Sequence, residues 1–217
     1  FPYTTLFRSQ KYGVDIIGVK ADAIERGEDR IAFKDTMAKI GVPVPRSEPC
    51  YSVEEAEEIA GALGYPAVLR PAYTMGGTGG GIAYNVEELR EIVTRGLNAS
   101  IIHQVLVEEA VIGWEELELE VVRDNKNQKI TVCFIENVDP MGVHTGDSFC
   151  VAPMLTVPEE LQRRMQEISY RIVSAIGVVG GANVQFAHNK DDDRLVVIEI
   201  NPRTSRSSAL ASKATGF

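Results

Sequence analysis

Apolar residues recur at helical spacing in several stretches of the chain. From 28 to 40, Ile31, Phe33, Met37, Ala38 and Ile40 stand among charges. This predicts an amphipathic helix closed by Gly41 and Pro43, with Arg30 in its first turn. A shorter helical piece over 21–25 precedes it, and a short strand over 14–18 comes before that. Ser52-Val53-Glu54-Glu55 is a capping box, so a helix is expected over 53–63, stopped by Gly64. Asn85 caps another, running to about 97. Leu161, Met165, Ile168, Ile172 and Ile176 predict a long amphipathic helix opened by Pro158. A last helix starts near 205.

Strand patterns fill the gaps. Residues 43–109 read strand, helix, strand, strand, helix, strand, a compact α+β unit with a glycine turn at one edge. Glu116, Glu118 and Glu120 alternate with Leu117, Leu119 and Val121, which predicts a half-buried strand with a carboxylate row on one face. A turn at 124–127 leads to a return strand over 129–136. An irregular loop over 137–148 and a strand over 149–154 follow. Strands over 182–188 and 195–201 form a hairpin around Asp191-Asp192-Asp193, which reads as a solvated turn in preference to a calcium site.

Two places carry chemistry. Five of the six residues from Gly76 to Gly81 are glycine, between the apolar runs Ala67-Val68-Leu69 and Ile82-Ala83-Tyr84. Without Cβ atoms, backbone N–H groups can converge on one anion, and Arg70 adds a positive charge. No Gly-Lys-Ser or Gly-Lys-Thr follows, so this is not a Walker loop. At the end of the last strand, Glu199 and Asn201 are two residues apart and share a face, with Ile198 and Ile200 expected on the other. A carboxylate and an amide oxygen suit Mg2+ or Mn2+, and Gln185 on the paired strand offers a third oxygen. Arg203 and Arg206 behind Pro202 suit an anionic substrate or a migrating phosphoryl group.

Composition narrows the field. The chain has 217 residues, 44% of them hydrophobic and 24% charged, with net charge −9. That excludes a nonspecific nucleic-acid binder and requires local Arg and Lys for any polyanionic ligand. Cys50, Cys133 and Cys150 form no C-x-x-C pair and read as reduced thiols of a cytosolic chain. No run reaches membrane-spanning length, and no secretory signal is visible. Phe1–Ser9 reads like a translated sequencing adapter and is set aside. Both ends suggest a piece of a longer protein. The expected division is 10–27 as the remnant of a preceding domain and 28–217 as the main domain, truncated at its C-terminus, with 43–111 as a glycine-loop lobe and 112–217 as a metal-binding lobe.

Together the stretch Arg70–Asn85, the loop Gly142-Val143-His144-Thr145-Gly146-Asp147-Ser148, Asn183-Val184-Gln185-Phe186-Ala187 and Glu199-Ile200-Asn201-Pro202-Arg203 with its continuation resemble the ATP-grasp superfamily. Within it they resemble the large subunits of carbamoyl phosphate synthetases, first synthetase half. The resemblance implies an α+β ATP-grasp fold, two lobes with the nucleotide between them. It implies ATP with Mg2+ or Mn2+, and K+ as an optional ion. Arg30, Arg70, Gly76 and Gly77 would serve the phosphates or ribose. Glu109, Val111 and Glu116 would surround the adenosine, and Gly142, Val143 and His144 would lie beside the nucleotide. Gln185, Glu199 and Asn201 would hold the divalent ions, and Arg203 would steady bicarbonate or carboxyphosphate. His103 and His188 receive no role.

The implied reaction is ATP-dependent phosphorylation of bicarbonate to carboxyphosphate, then reaction with ammonia to carbamate, for pyrimidine and arginine synthesis in the cytoplasm. The implied partner is a glutaminase small subunit, with no nucleic acid and no membrane. Such phosphoryl transfer needs positioning and charge neutralisation, not a covalent nucleophile. A glycine lid that excludes water suits a labile acyl phosphate. Two alternatives stand beside it: another ATP-grasp ligase such as a biotin carboxylase, and a module that senses ATP without turnover.

Overall fold

The computed structural model describes residues 8, 11–14, 18–74, 78–143, 148–204 and 206–216, with Arg206, Ser207 and Ser212 described by their backbone alone. The chain divides into two compact units. One is Pro45–Ile112; the other joins Phe1–Val44 to Gly113–Phe217.

In the unit Pro45–Ile112, β1 (Ser47–Cys50), α3 (Val53–Leu63), β2 (Ala67–Pro71), β3 (Gly81–Ala83), α4 (Val86–Ala99) and β4 (Val105–Glu109) follow in order; α1 and α2 belong to the other unit. The strands make an antiparallel sheet in the order β1-β4-β2-β3. The glycine-rich turn therefore lies in the β2–β3 hairpin, at the sheet edge. Both helices begin as their sequences dictate. Ser52 Oγ accepts from the Glu55 N–H, and Glu55 returns a carboxylate to the Tyr51 N–H. Asn85 and Glu88 repeat the exchange with Tyr84 at the start of α4. Ala56 and Ala60 of α3, with Leu89 and Val93 of α4, bury their apolar stripes on Leu69, Val105 and Val107.

The other unit opens with α1 (Ala21–Glu28) and α2 (Arg30–Lys39). The single helix expected over 28–40 thus begins two residues late, and the 21–25 piece extends to meet it. Asp29 explains the break: its backbone is extended, and its side chain accepts the Ala32 N–H at 2.8 Å to cap α2. Then come β5 (Glu115–Arg123), β6 (Lys129–Asn137), β7 (Cys150–Val151), α5 (Glu159–Ile176), β8 (Gly180–Asn189), β9 (Arg194–Asn201) and α6 (Arg206–Thr215). The sheet is antiparallel, in the order β7-β6-β5-β8-β9. The strand expected over 149–154 shrinks to the two residues of β7, and Pro153 beyond it has no N–H to extend the ladder.

One face of this sheet is apolar. Leu117, Leu119, Val184, Phe186, Val197 and Ile200 meet Met165, Ile172 and Ile176 of α5 and Phe33 and Met37 of α2 in one buried cluster. The opposite face carries Glu118, Glu120, Asn183, Gln185, Glu199 and Asn201, as their register shows. Part of it is covered by α6, whose Ala211 packs with Cys133 and Ile135.

Candidate nucleotide and metal site

The polar face owes its order to strand register. Glu118 pairs with Gln185, which pairs with Glu199; Glu120 pairs with Asn183, which pairs with Asn201. Two rungs of oxygen-bearing side chains thus cross β5, β8 and β9. Side chains directly opposite on neighbouring strands lie about 4.5–5.5 Å apart at Cβ. A β-bulge sets the alignment. Gln185 pairs with Glu199 but Phe186 pairs with Val197, so Ile198 is the extra residue of β9. Upstream, Leu195 and Val197 face the core; downstream, Ile200 does. Simple alternation put Ile198 on the core side with Ile200. The bulge takes it out of register, and this lets Glu199 and Asn201 share the polar face with a core-facing Val197.

Hydrogen bonds hold the rungs. Asn183 Nδ2 donates to Glu118 Oε2 at 2.9 Å and to Glu120 Oε1 at 3.0 Å. Asn137 Nδ2 donates to Glu118 Oε1, and Ser208 Oγ of α6 donates to Glu120 Oε2 at 2.6 Å. Asn201 Nδ2 donates to Glu199 Oε1 at 3.0 Å, and Arg203 Nη2 donates to Asn201 Oδ1 at 3.2 Å. Glu116, Glu118 and Glu120 are all buried, although a half-buried strand was expected. Gln185, Glu199 and Asn201 remain partly open.

This donor set fits a hard cation: one carboxylate and two amides in adjoining rungs, with two more carboxylates behind. No group of three His, Cys, Asp or Glu side chains among the described residues is placed to hold a metal by itself. A single carboxylate with two neutral amides binds a bare divalent ion weakly, so phosphate oxygens would have to complete the shell. The sequence alone assigns no site role to Glu118, Glu120, Asn183 or Ser208. The signal for the first two was the Glu116, Glu118, Glu120 alternation; Asn183 needed the strand register and Ser208 the packing of α6.

The remaining candidates fall in three groups. Arg30, exposed, opens α2, and Arg203, also exposed, follows β9. Glu116, Gly142 and Val143 belong to the same unit. The loop bearing the last two is tied to the 113–114 segment, since the Gly113 N–H donates to Met141 O and the Met141 N–H to Trp114 O. Arg70, Glu109 and Val111 belong to the unit Pro45–Ile112. There Arg70 Nε pairs with Glu108 at 3.2 Å, and Val111 is buried. The Glu109 carboxylate takes the Arg46 backbone N–H and Nε, each at 2.8 Å. Gly76, Gly77 and His144 lie outside the described residues, as does the Arg206 side chain.

Arg95 Nη2 of α4 donates to Gly80 O at 3.2 Å. Gly79 has φ +78°, and a Cβ there would stand 2.8 Å from Ala99 Cβ. Only glycine allows both the conformation and this approach to α4.

Two further features lie away from the rungs. A cavity of about 520 Å³ is lined by Trp114, Glu115, Glu136, Asp139, His188 and Lys190 among others, and by none of Gln185, Glu199 and Asn201. The Arg194 guanidinium lies 5.5 Å from the Trp114 ring centre. At its edge His188 Nδ1 is 2.8 Å from Glu115 and Nε2 3.0 Å from Asp193, which Arg164 also holds. The acidic turn is thus bound by side chains of its own unit. The three cysteines are free thiols, and burial pushes the Cys50 thiol up to about 11, so it is packing and not a nucleophile.

Solved structures share this architecture. A biotin carboxylase from Campylobacter jejuni superposes with TM-score 0.81 over 99% of this chain and 49% of its own, at 20% identity. The biotin carboxylase domain of Hydrogenobacter thermophilus 2-oxoglutarate carboxylase gives 0.82 over 99% and 48%, at 22% identity. The fold is ATP-grasp. A sequence-family model described as carbamoyl-phosphate synthase L chain, ATP binding domain, matches residues 29–217, and the chain belongs to that family. The carbamoyl phosphate synthase large chain of Archaeoglobus fulgidus is 56% identical over 208 residues, covering 95% of this chain and 19% of that one. That of Thermus thermophilus is 55% identical over 209 residues, covering 96% and 20%. The chain thus spans about a fifth of the length of these relatives.

Proposed function

We propose that this chain is an ATP-binding core of a carbamoyl phosphate synthase large chain, and that it activates bicarbonate. The observation that carries the proposal is the pair of oxygen-donor rungs, with Arg203 at their end. The Hydrogenobacter neighbour was solved with MgADP and bicarbonate, which supports the same ligands here.

Gln185, Glu199 and Asn201 would hold Mg2+, or Mn2+ through the same oxygens. The bound ion would neutralise charge on the nucleotide phosphates. Arg203 would hold bicarbonate or carboxyphosphate, and Arg70 and Arg30 would bind phosphate oxygens. A bicarbonate oxygen attacks the γ-phosphorus of ATP; a P–O bond forms as the bond to ADP breaks. Ammonia then attacks the carboxyl carbon of carboxyphosphate, inorganic phosphate leaves, and carbamate and a proton remain. The residues supply position and charge, as phosphoryl transfer requires. Ammonia would come from a glutaminase subunit, and the product would serve pyrimidine and arginine synthesis.

The test is bicarbonate-stimulated, Mg2+-dependent ATP hydrolysis by the intact protein that carries this chain. Stimulation in the wild type, lost in Glu199→Gln, is expected. Nucleotide binding without stimulation would leave an ATP-sensing module instead. Turnover that needs a biotinyl acceptor would make the protein a biotin-dependent carboxylase.

A further inference from the structure

Glycine in a helix interior is unfavourable relative to alanine, because it freezes more backbone freedom and buries no side chain. Gly27 is such a residue, in the last turn of α1, and it is buried. A Cβ built on it would stand 3.2 Å from Pro202 Cγ, 3.3 Å from Pro202 Cδ and 3.4 Å from Ile200 Cγ2. The helix backbone thus rests on the last turn of the Glu199-Ile200-Asn201-Pro202-Arg203 segment. Pro202 is buried beneath it.

Both partners in this contact are fixed from behind. Arg26 donates from Nε at 3.1 Å and Nη2 at 2.7 Å to the Ile176 carbonyl, which ends α5. Ile200 and Ile176 share one buried core cluster. Around Pro202 the chain turns tightly, with the Arg203 N–H donating to Asn201 O at 2.8 Å. A shift of the proline ring therefore moves Asn201 and Arg203 with it. Three residues beyond Gly27 comes Arg30, the first residue of α2, on the far side of the Asp29 cap.

We propose that Gly27 is a positioning residue for the metal-bearing end of β9. Its missing side chain lets α1 seat directly on Pro202, which sets where Asn201 and Arg203 stand and registers Arg30 against them. This rests on the nucleotide and metal reading of the site given above. Gly27 touches no reacting atom; it acts through Pro202.

The experiment uses the intact protein that carries this chain. Binding of a non-hydrolysable ATP analogue is titrated with Mg2+ in the wild type, Gly27→Ala, Pro202→Ala and the double variant, with a thermal melt of each. In Gly27→Ala the Mg2+ needed for half-maximal binding should rise about three- to tenfold, since sub-ångström displacement of liganding groups weakens them steeply. The melting temperature should change little, because the helix gain from alanine offsets the cost of moving the buried ring. Pro202→Ala deletes the ring carbons that the new methyl meets. The double variant should therefore need no more Mg2+ than Pro202→Ala alone, a non-additive result. Wild-type Mg2+ dependence in Gly27→Ala would overturn the proposal. So would a lower melting temperature with unchanged Mg2+ dependence, or strictly additive effects. A wild type without Mg2+-dependent nucleotide binding would instead overturn the site reading on which the proposal rests. Gly27→Val, with a larger side chain, should shift the Mg2+ dependence further where it folds, and the alanine variant decides the matter if it does not.

Discussion

Glu199 is the one carboxylate among the three candidate metal-holding side chains, so it supplies the charge that two amides lack. Glu199→Gln keeps shape and hydrogen-bonding reach while removing that charge. Bicarbonate-stimulated hydrolysis should fall about a hundredfold or more, with the circular dichroism spectrum unchanged. Near-normal turnover would take Glu199 out of the metal site. Gly79 presents the opposite case, where a residue matters for what it lacks. Its positive φ and the 2.8 Å approach to Ala99 make Gly79→Ala costly, about 1–3 kcal/mol of stability by urea denaturation. Gly64 also has positive φ but nothing within 4 Å of its Cβ position, so Gly64→Ala should show only the backbone share. Equal losses at both positions would mean that the contact with α4 contributes nothing.

Elements set where these residues stand. The Asp29 cap starts α2 and so fixes the root of Arg30. Asp29→Ala should lower stability by about 1 kcal/mol, read from the denaturant midpoint. A cap mutant of unchanged midpoint would show that α2 is held by packing alone. On β6, beside the edge strand β7, Glu136 ties the sheet to the segment before α5. Its carboxylate accepts from the Leu155 and Thr156 N–H groups and from the Thr156 hydroxyl at 2.9 Å. Burial acts to raise its pKa, but these bonds and the Val157 N–H outweigh it, and the net shift is below the ordinary 4.5. A folded-state value below the unfolded one contributes stability above 4.5, and that stability is lost as pH falls through the folded value. Thermal melts carried from neutral pH into this acid range should therefore steepen below 4.5 in the wild type. In Glu136→Gln the acid slope should flatten and neutral-pH stability should drop. An unchanged slope would remove Glu136 from the acid response.

At the scale of the whole molecule, two units have separate hydrophobic clusters. The unit Pro45–Ile112 is continuous in sequence, while the other is assembled from two segments. Denaturation of the chain should therefore depart from a single two-state transition. Residues 45–112 expressed alone should give a cooperative melt of their own, seen by circular dichroism. A featureless melt would show that this unit depends on the rest. Net charge shapes the ligand problem at the same scale. A chain of −9 draws anions only through local cations. Arg203 is held by Asn201, and Arg70 by Glu108.

Much was legible along the chain. The capping boxes at Ser52 and Asn85, the apolar stripe of α5, the β8–β9 hairpin and the glycine turn all rest on interactions spanning a few residues. Local propensity and periodicity therefore report them. So does the shared face of Glu199 and Asn201, which is a property of one strand. The rest needed distant partners. Nothing near Ile198 announces the bulge, because it exists only in the pairing of β9 with β8. The alignment of Glu118 and Glu120 with Gln185, Glu199, Asn183 and Asn201 follows from register across three strands. Burial of the Glu116–Glu120 row needed the covering elements, among them α6, and Gly27 gains its meaning only when α1 meets Pro202. Short-range patterns named the chemical groups of the candidate site. Long-range register and close packing decided which of those groups share a face, because neither leaves a signature in neighbouring residues.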